Sequence, residues 1–72
     1  MSFPERLKSL QAERGVTKKK VYQTIGMSSA GYYLYEHGER EPTLSKLVAL
    51  SNFFNVRIDF LAGRTDNPQI VR

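Results

Sequence analysis

Between two short helix-forming segments, at about residues 17–25 and 28–37, this chain places only Gly26 and Met27. Each segment opens on a good N-terminal capping residue, Thr17 and Ser28, and each runs into a glycine, Gly26 and Gly38. So short a connection leaves no room for an antiparallel hairpin, so the two helices must cross steeply. Gly26 supplies the left-handed backbone that such a turn requires, at little steric cost. The rest of the chain must then cover the inner faces of this crossed pair.

The remaining sequence has helical periodicity and no alternating stretch long enough for a strand. Ser2 and Glu5 have the spacing of a capping box, with Pro4 tolerated in the first turn. Phe3, Leu7 and Leu10 then recur on one face of a first helix that runs to about Arg14 and stops at Gly15, with Val16 packed under the turn. Val21 and Ile25 are the apolar residues of the second helix, and Tyr32 and Tyr35 face inward from the third. After the charged connector Glu39 to Pro42, Thr43 caps a fourth helix whose apolar face is Leu44, Leu47, Leu50 and Phe54, with Val48 beside it. Asn55 supplies its C-terminal cap, and Val56, Ile58, Phe60 and Leu61 lead through a short fifth helix to Gly63. The expectation is an all-α, compact five-helix bundle over residues 1–66, with a polar tail from Thr65 that is loosely ordered and, over residues 67–72, flexible.

Composition narrows what such a bundle can do. A chain of 72 residues buries only roughly 60% of its unfolded surface, so the core must be apolar and well packed. Cysteine is absent, which excludes disulfides and thiolate metal sites. Lys and Arg number 11 against 7 Asp and Glu, a net charge of +4 that favours a polyanionic partner. No apolar run approaches the ~20 residues that span a bilayer, and MSFPERLKSL lacks the pattern of a secretion signal, so a soluble, cytoplasmic protein is expected. With a single His and no nucleophile–base pair or metal-ligand cluster, neither catalysis nor a cofactor is expected. Nor does the sequence point to an inducer pocket or a separate sensing domain, which leaves concentration, a partner or proteolysis as means of control.

The stretch TKKKVYQTIGMSSAGYYLYEHG, residues 17–38, resembles the helix-turn-helix of the phage Cro and repressor class, whose bacterial members are often called the xenobiotic-response-element family. PERLKSLQAERGVT is similar to its first helix, REPTLSKLVALSNFFNV to its fourth and IDFLAGRTD to its fifth, so the likeness covers roughly residues 3–66. The ordered set Gly15, Thr17, Gly26, Ser28, Glu36, Gly38 and Pro42 carries it. The resemblance implies a lambda-repressor-like fold with the helix-turn-helix formed by helices two and three, the third entering the DNA major groove. This chain departs from the family at Lys18, where Gln is usual, at Tyr22, where Ala is usual, and at Gln11, where Arg often faces the glutamate at Glu36. Tyr22 is expected to alter the crossing or to turn its ring to the rim, and Gln11 to hydrogen-bond Glu36, which holds helix three against helix one.

The same resemblance implies a sequence-specific regulator of double-stranded DNA, expected to repress as a homodimer on a near-palindromic operator. Lys18, Lys19 and Lys20 oppose the dipole of the helix they open, and a phosphate there would compensate. By comparison with the family, Ser29, Ala30, Tyr33 and Leu34 face the groove, with Thr17, Ser28, His37 and Arg40 as further contacts. Arg and side-chain amides, the commonest bidentate base readers, are missing from this helix, so thymine methyls and DNA shape are expected to carry the readout. Phe53, Ile58 and Phe60 are candidates for the dimer contact, with Phe60 equally suited to the monomer core. The competing reading is a protein-interaction module or antitoxin that keeps the fold and uses the Tyr33–Leu34 patch.

Overall fold

In the computed structural model, which describes residues 1–70, the crossed pair is present and three further helices surround it. The order is α1 (Phe3–Arg14), α2 (Lys18–Thr24), α3 (Ser29–Glu36), α4 (Leu44–Phe54) and α5 (Ile58–Leu61). The described residues contain no strand. No helix among them is long and apolar enough to cross a membrane.

The caps read from the sequence are in place. The Thr17, Ser28 and Thr43 hydroxyls accept backbone N–H bonds from Lys20, Gly31 and Lys46 at 3.1, 3.1 and 3.3 Å. At the start of α1, the Ser2 hydroxyl and backbone N–H both donate to Glu5 Oε1, at 2.9 and 3.2 Å. These donors hold the Glu5 carboxyl below its ordinary value, the hydroxyl contributing most. At its far end α4 stops on Asn55, a non-glycine residue with φ of 54°.

Two layers meet in the core. From α1 come Leu7 and Leu10, from α2 Val21, and from α3 Tyr32 and Tyr35. Leu50 and Phe54 of α4, with Val56, Phe60 and Leu61, close the other side. Burial of such side chains stabilises by about 1.5–3 kcal/mol each. Tyr32 lies at the centre, its hydroxyl donating to Gln11 Oε1 at 3.0 Å. Phe3 meets Tyr35 edge to face at 5.7 Å, and Tyr22 turns its ring to the rim, half-buried and tilted against Tyr32 at 6.1 Å.

Two expectations need correction. Leu44 is 72% exposed and Val48 is exposed too, because at 100° per residue they lie on the flank of the arc formed by Leu47, Leu50, Ser51 and Phe54; the buried apolar face is Leu50 and Phe54 with Leu47 at the margin. Glu36 is held by Lys18 of α2, whose ammonium lies 3.2 Å from Oε1, while Gln11 is turned to Tyr32 and accepts from its hydroxyl. Beyond α5, contacts with the body reach Thr65, Asp66 and Pro68. Arg6 Nη2 donates to the Thr65 carbonyl and to Asp66 Oδ1, both at 3.2 Å, and the Arg57 N–H donates to the Pro68 carbonyl at 3.2 Å. The last two residues of the expected flexible segment, 71–72, lie outside the described residues.

Gly63 follows α5 with φ of 82°, and a Cβ there would overlap the Met1 carbonyl oxygen and crowd Ser2. Gly63→Ala therefore combines left-handed strain with a backbone collision, and should lower unfolding free energy by about 1–2 kcal/mol or more in urea denaturation. Burial, followed by the nearby Glu36 carboxylate, raises the Tyr32 phenol above its ordinary value of 10.0. The folded chain keeps a proton that the unfolded chain releases, so this stabilisation is whole below the unfolded pKa and is lost as pH rises beyond it. Tyr32→Phe should flatten the alkaline loss of stability that sets in above about pH 10, read by urea denaturation at a series of pH values.

Candidate nucleic-acid interface

The turn between α2 and α3 is closed by a pair of backbone bonds. Gly26, with φ of 75°, donates to the Gln23 carbonyl at 3.3 Å, and Met27 donates to the Tyr22 carbonyl at 2.8 Å. The pattern is a Schellman motif, which ends α2 and aims the chain into the Ser28 cap of α3. Lys46 of α4 reaches the same place: its ammonium donates to the Ile25 carbonyl at 2.9 Å and to the Gly26 carbonyl at 3.4 Å. A cation at the C-terminal carbonyls of a helix satisfies groups that the helix itself cannot. The crossing is thus fastened to α4 from behind.

The outer face of α3 carries Ser29, Ala30 and Tyr33, all exposed, with Leu34 half-buried beside them. Tyr33 is 53% exposed and stacks on His37, ring centroids 3.9 Å apart and planes 29° from parallel, which makes one flat aromatic surface at the C-terminal half of the helix. Met27 and Arg40 both reach α3 at Gly31. A Cβ there would stand 3.1 Å from Met27 Cε and 3.7 Å from Arg40 Nη1. The Arg40 guanidinium therefore folds back over α3 instead of trailing away with its connector. Thr17, Lys19 and Lys20 at the start of α2 and Ser28 before α3 are all exposed.

Lys18 differs from its two neighbours. Its Nζ lies 3.2 Å from Glu36 Oε1, and the two side chains are 62% and 4% exposed. Two of the expected cations are thus brought to α3, Arg40 beside Gly31 and Lys18 beside Glu36, while three expected positions belong to the α4–α5 side. Of those, Ile58 is exposed and Phe53 is half-buried, edge to face with Phe54 at 4.9 Å. Phe60 is only 8% exposed, with the Arg6 guanidinium 3.8 Å over its ring, and is part of the core of the single chain.

Two important residues were not singled out by the sequence reading. Arg6 falls at i+3 from Phe3 and i−4 from Leu10, on the apolar stripe of α1, and that placement was a readable sign of burial. Lys46 left no comparable sign. Its partners lie 20 and 21 residues away, and only the packing of α4 behind α2 brings them together.

Comparison with known proteins matches this geometry. The sequence model of a helix-turn-helix family matches residues 7–61. The HTH-type transcriptional regulator YobD of Bacillus subtilis is 33% identical over 66 residues, spanning 92% of this chain and 59% of its own length. The SPbeta prophage-derived regulator YonR of the same organism is 39% identical over 63 residues, spanning 88% of this chain and 58% of its own length. The cryptic phage CTXphi transcriptional repressor RstR of Vibrio cholerae is 35% identical over 71 residues, spanning 96% of this chain and 63% of its own length. The chain thus spans about three-fifths of the length of these relatives. A transcriptional regulator from Listeria innocua superposes with a TM-score of 0.82 at 28% identity, over 99% of this chain and 64% of that one. The P22 c2 repressor, solved with a synthetic operator, shares the fold at a TM-score of 0.82 and 22% identity, over 90% of this chain and 98% of that one.

The Lys46 contacts lend themselves to a direct measurement. Lys46→Met keeps the apolar stem and removes the ammonium. It should cost about 1–2 kcal/mol in urea denaturation, the range for a charge-assisted bond discounted for partial exposure, and should speed amide exchange at Gly26 and Met27.

Proposed function

Because the chain belongs to the helix-turn-helix family of Cro and phage-repressor type, we propose that it is a transcriptional regulator that binds double-stranded DNA sequence-specifically and represses as a homodimer on a near-palindromic operator. The observation that carries the reading is the outer face of α3. Ser29, Ala30 and Tyr33 stand exposed there, with Arg40 folded back along the helix and Lys18 and Lys19 at the start of α2 beside it. The likeness to the phage repressor RstR, and a fold shared with a repressor solved on an operator, support it.

On this reading α3 enters the major groove, which is about 12 Å wide and admits one helix. Lys18, Lys19 and Arg40 contact phosphates, with Thr17, Ser28 and His37 as polar contacts to the backbone. Ala30 and Leu34 present methyl groups to thymine methyls, and the Ser29 and Tyr33 hydroxyls reach base edges or phosphates. A helix so poor in bidentate donors draws part of its specificity from DNA shape. Two copies, joined through Ile58 and Phe53, would place their α3 helices about 34 Å apart, one turn of duplex.

Titration with random duplex, and with duplexes selected from a random library, at several salt concentrations tests the reading. Affinity should fall with salt, at a log–log slope of about 0.9 per phosphate contacted. Lys19→Ala combined with Arg40→Ala should reduce the slope by about 1.8. Absence of duplex binding even at low salt overturns the proposal and leaves the protein-interaction reading of the Tyr33–Leu34 patch in its place.

A further inference from the structure

We propose that Glu36 is a positioning residue for DNA binding, holding the Lys18 ammonium so that one cation serves a buried carboxylate on α3 and a phosphate of the duplex together. The proposal rests on the DNA-binding reading above, and it gives Glu36 a part in recognition that packing alone would not.

The pair is lopsided. Lys18 Nζ is 3.2 Å from Glu36 Oε1, yet the lysine side chain is 62% exposed while the glutamate is 4% exposed. A buried carboxylate is costly without a charged or hydrogen-bonded partner, so Glu36 fixes where the ammonium sits. Lys18 makes the one ion pair to Glu36 among the described residues. The ammonium, however, carries three protons in a compact head, and one satisfies Oε1. The others are open to solvent, where a phosphate can reach them, because the Lys18 side chain is 62% exposed.

The position of the two residues gives the pair its effect. Lys18 opens α2, and Glu36 closes α3. A phosphate on Lys18 is therefore linked through one ion pair to the last turn of the helix proposed to read the bases. Because Lys18 is already restrained, a phosphate that binds there orders little further side chain, unlike one on a freely moving lysine. The link sets where α3 lies relative to the backbone, so it acts on the difference between a correct site and a random one.

The test compares wild type, Lys18→Met, Lys18→Arg, Glu36→Gln and the Lys18→Met/Glu36→Gln double variant, each titrated with selected and random duplexes over a range of salt. Lys18→Met should reduce the slope by about 0.9, one phosphate, and Lys18→Arg should restore it. Glu36→Gln should leave the slope in place and lower the selected-to-random affinity ratio about threefold to tenfold. That loss should vanish when Lys18 is already Met, as expected of two coupled residues. Thermal melts by circular dichroism establish that each variant is folded. If Lys18→Met fails to fold because it strands the Glu36 carboxylate, the double variant, which lacks both charges, carries the slope measurement. An unchanged slope without Lys18, or the same loss from Glu36→Gln in both backgrounds, overturns the proposal while the DNA-binding reading stands. A wild-type chain with no salt-dependent duplex binding removes the reading and the proposal together.

Discussion

The link from the last turn of α2 to the first turn of α3 is so short that the two helices cannot shield each other's apolar faces. Val21 and Ile25 on one and Tyr32 and Tyr35 on the other are left with a common need for cover. That need dictates the remaining architecture. The Leu7 and Leu10 face of α1 and the Leu50 and Phe54 face of α4 meet it from opposite sides, with α5 and its flanks filling the corner between them. The outer face of α3 is what remains after the inner face has been buried, and it stands clear because the supporting helices are all behind it.

In a domain of this size with no disulfide, buried polar groups bear on more than packing. Arg6 lies under the surface with its guanidinium over Phe60, joining α1 to the chain that leaves α5 through Thr65 and Asp66. Its Nε finds no partner, and Asp66 is almost wholly exposed, so most of its contribution comes from the buried stem and the ring beneath it. Glu36 is the counterpart at the other end of the core. It ties α3 to α2 and lies close enough to Tyr32 to help keep that phenol protonated. Both residues link segments that would otherwise meet only through apolar contact.

Local signals made most of the fold legible. Thr17, Ser28 and Thr43 act within three residues of themselves, and the glycines and Asn55 close helices through bonds spanning five residues or fewer, so spacing alone revealed them. The buried face of α4 was drawn too wide because spacing groups apolar residues on one side without saying where the packed arc ends; Leu44 and Val48 fall on its exposed flank. The candidate interface divided in the same way. Exposure of Ser29, Ala30 and Tyr33 followed from their place opposite Tyr32 and Tyr35 on one helix. The Lys18–Glu36 pair, the Arg40 return over Gly31 and the stacking of His37 on Tyr33 depend on rotamers and on neighbours that spacing does not describe. Burial of Phe60 turned on Arg6, some fifty residues earlier in the chain.

The Lys46 contact to the carbonyls of Ile25 and Gly26 bears on how far this unit can be moved between proteins. A segment cut out as residues 17–38 would carry every local cap and the Schellman turn, yet it would lack the ammonium that fastens the turn and the floor on which Val21 and Tyr32 rest. Helices of seven and eight residues are too short to persist in water by themselves. Grafting the outer face of α3 onto another scaffold therefore requires a cation placed from a third helix as well as the matching loop. The modular unit is the whole bundle, and the helix-turn-helix is a surface that the bundle presents.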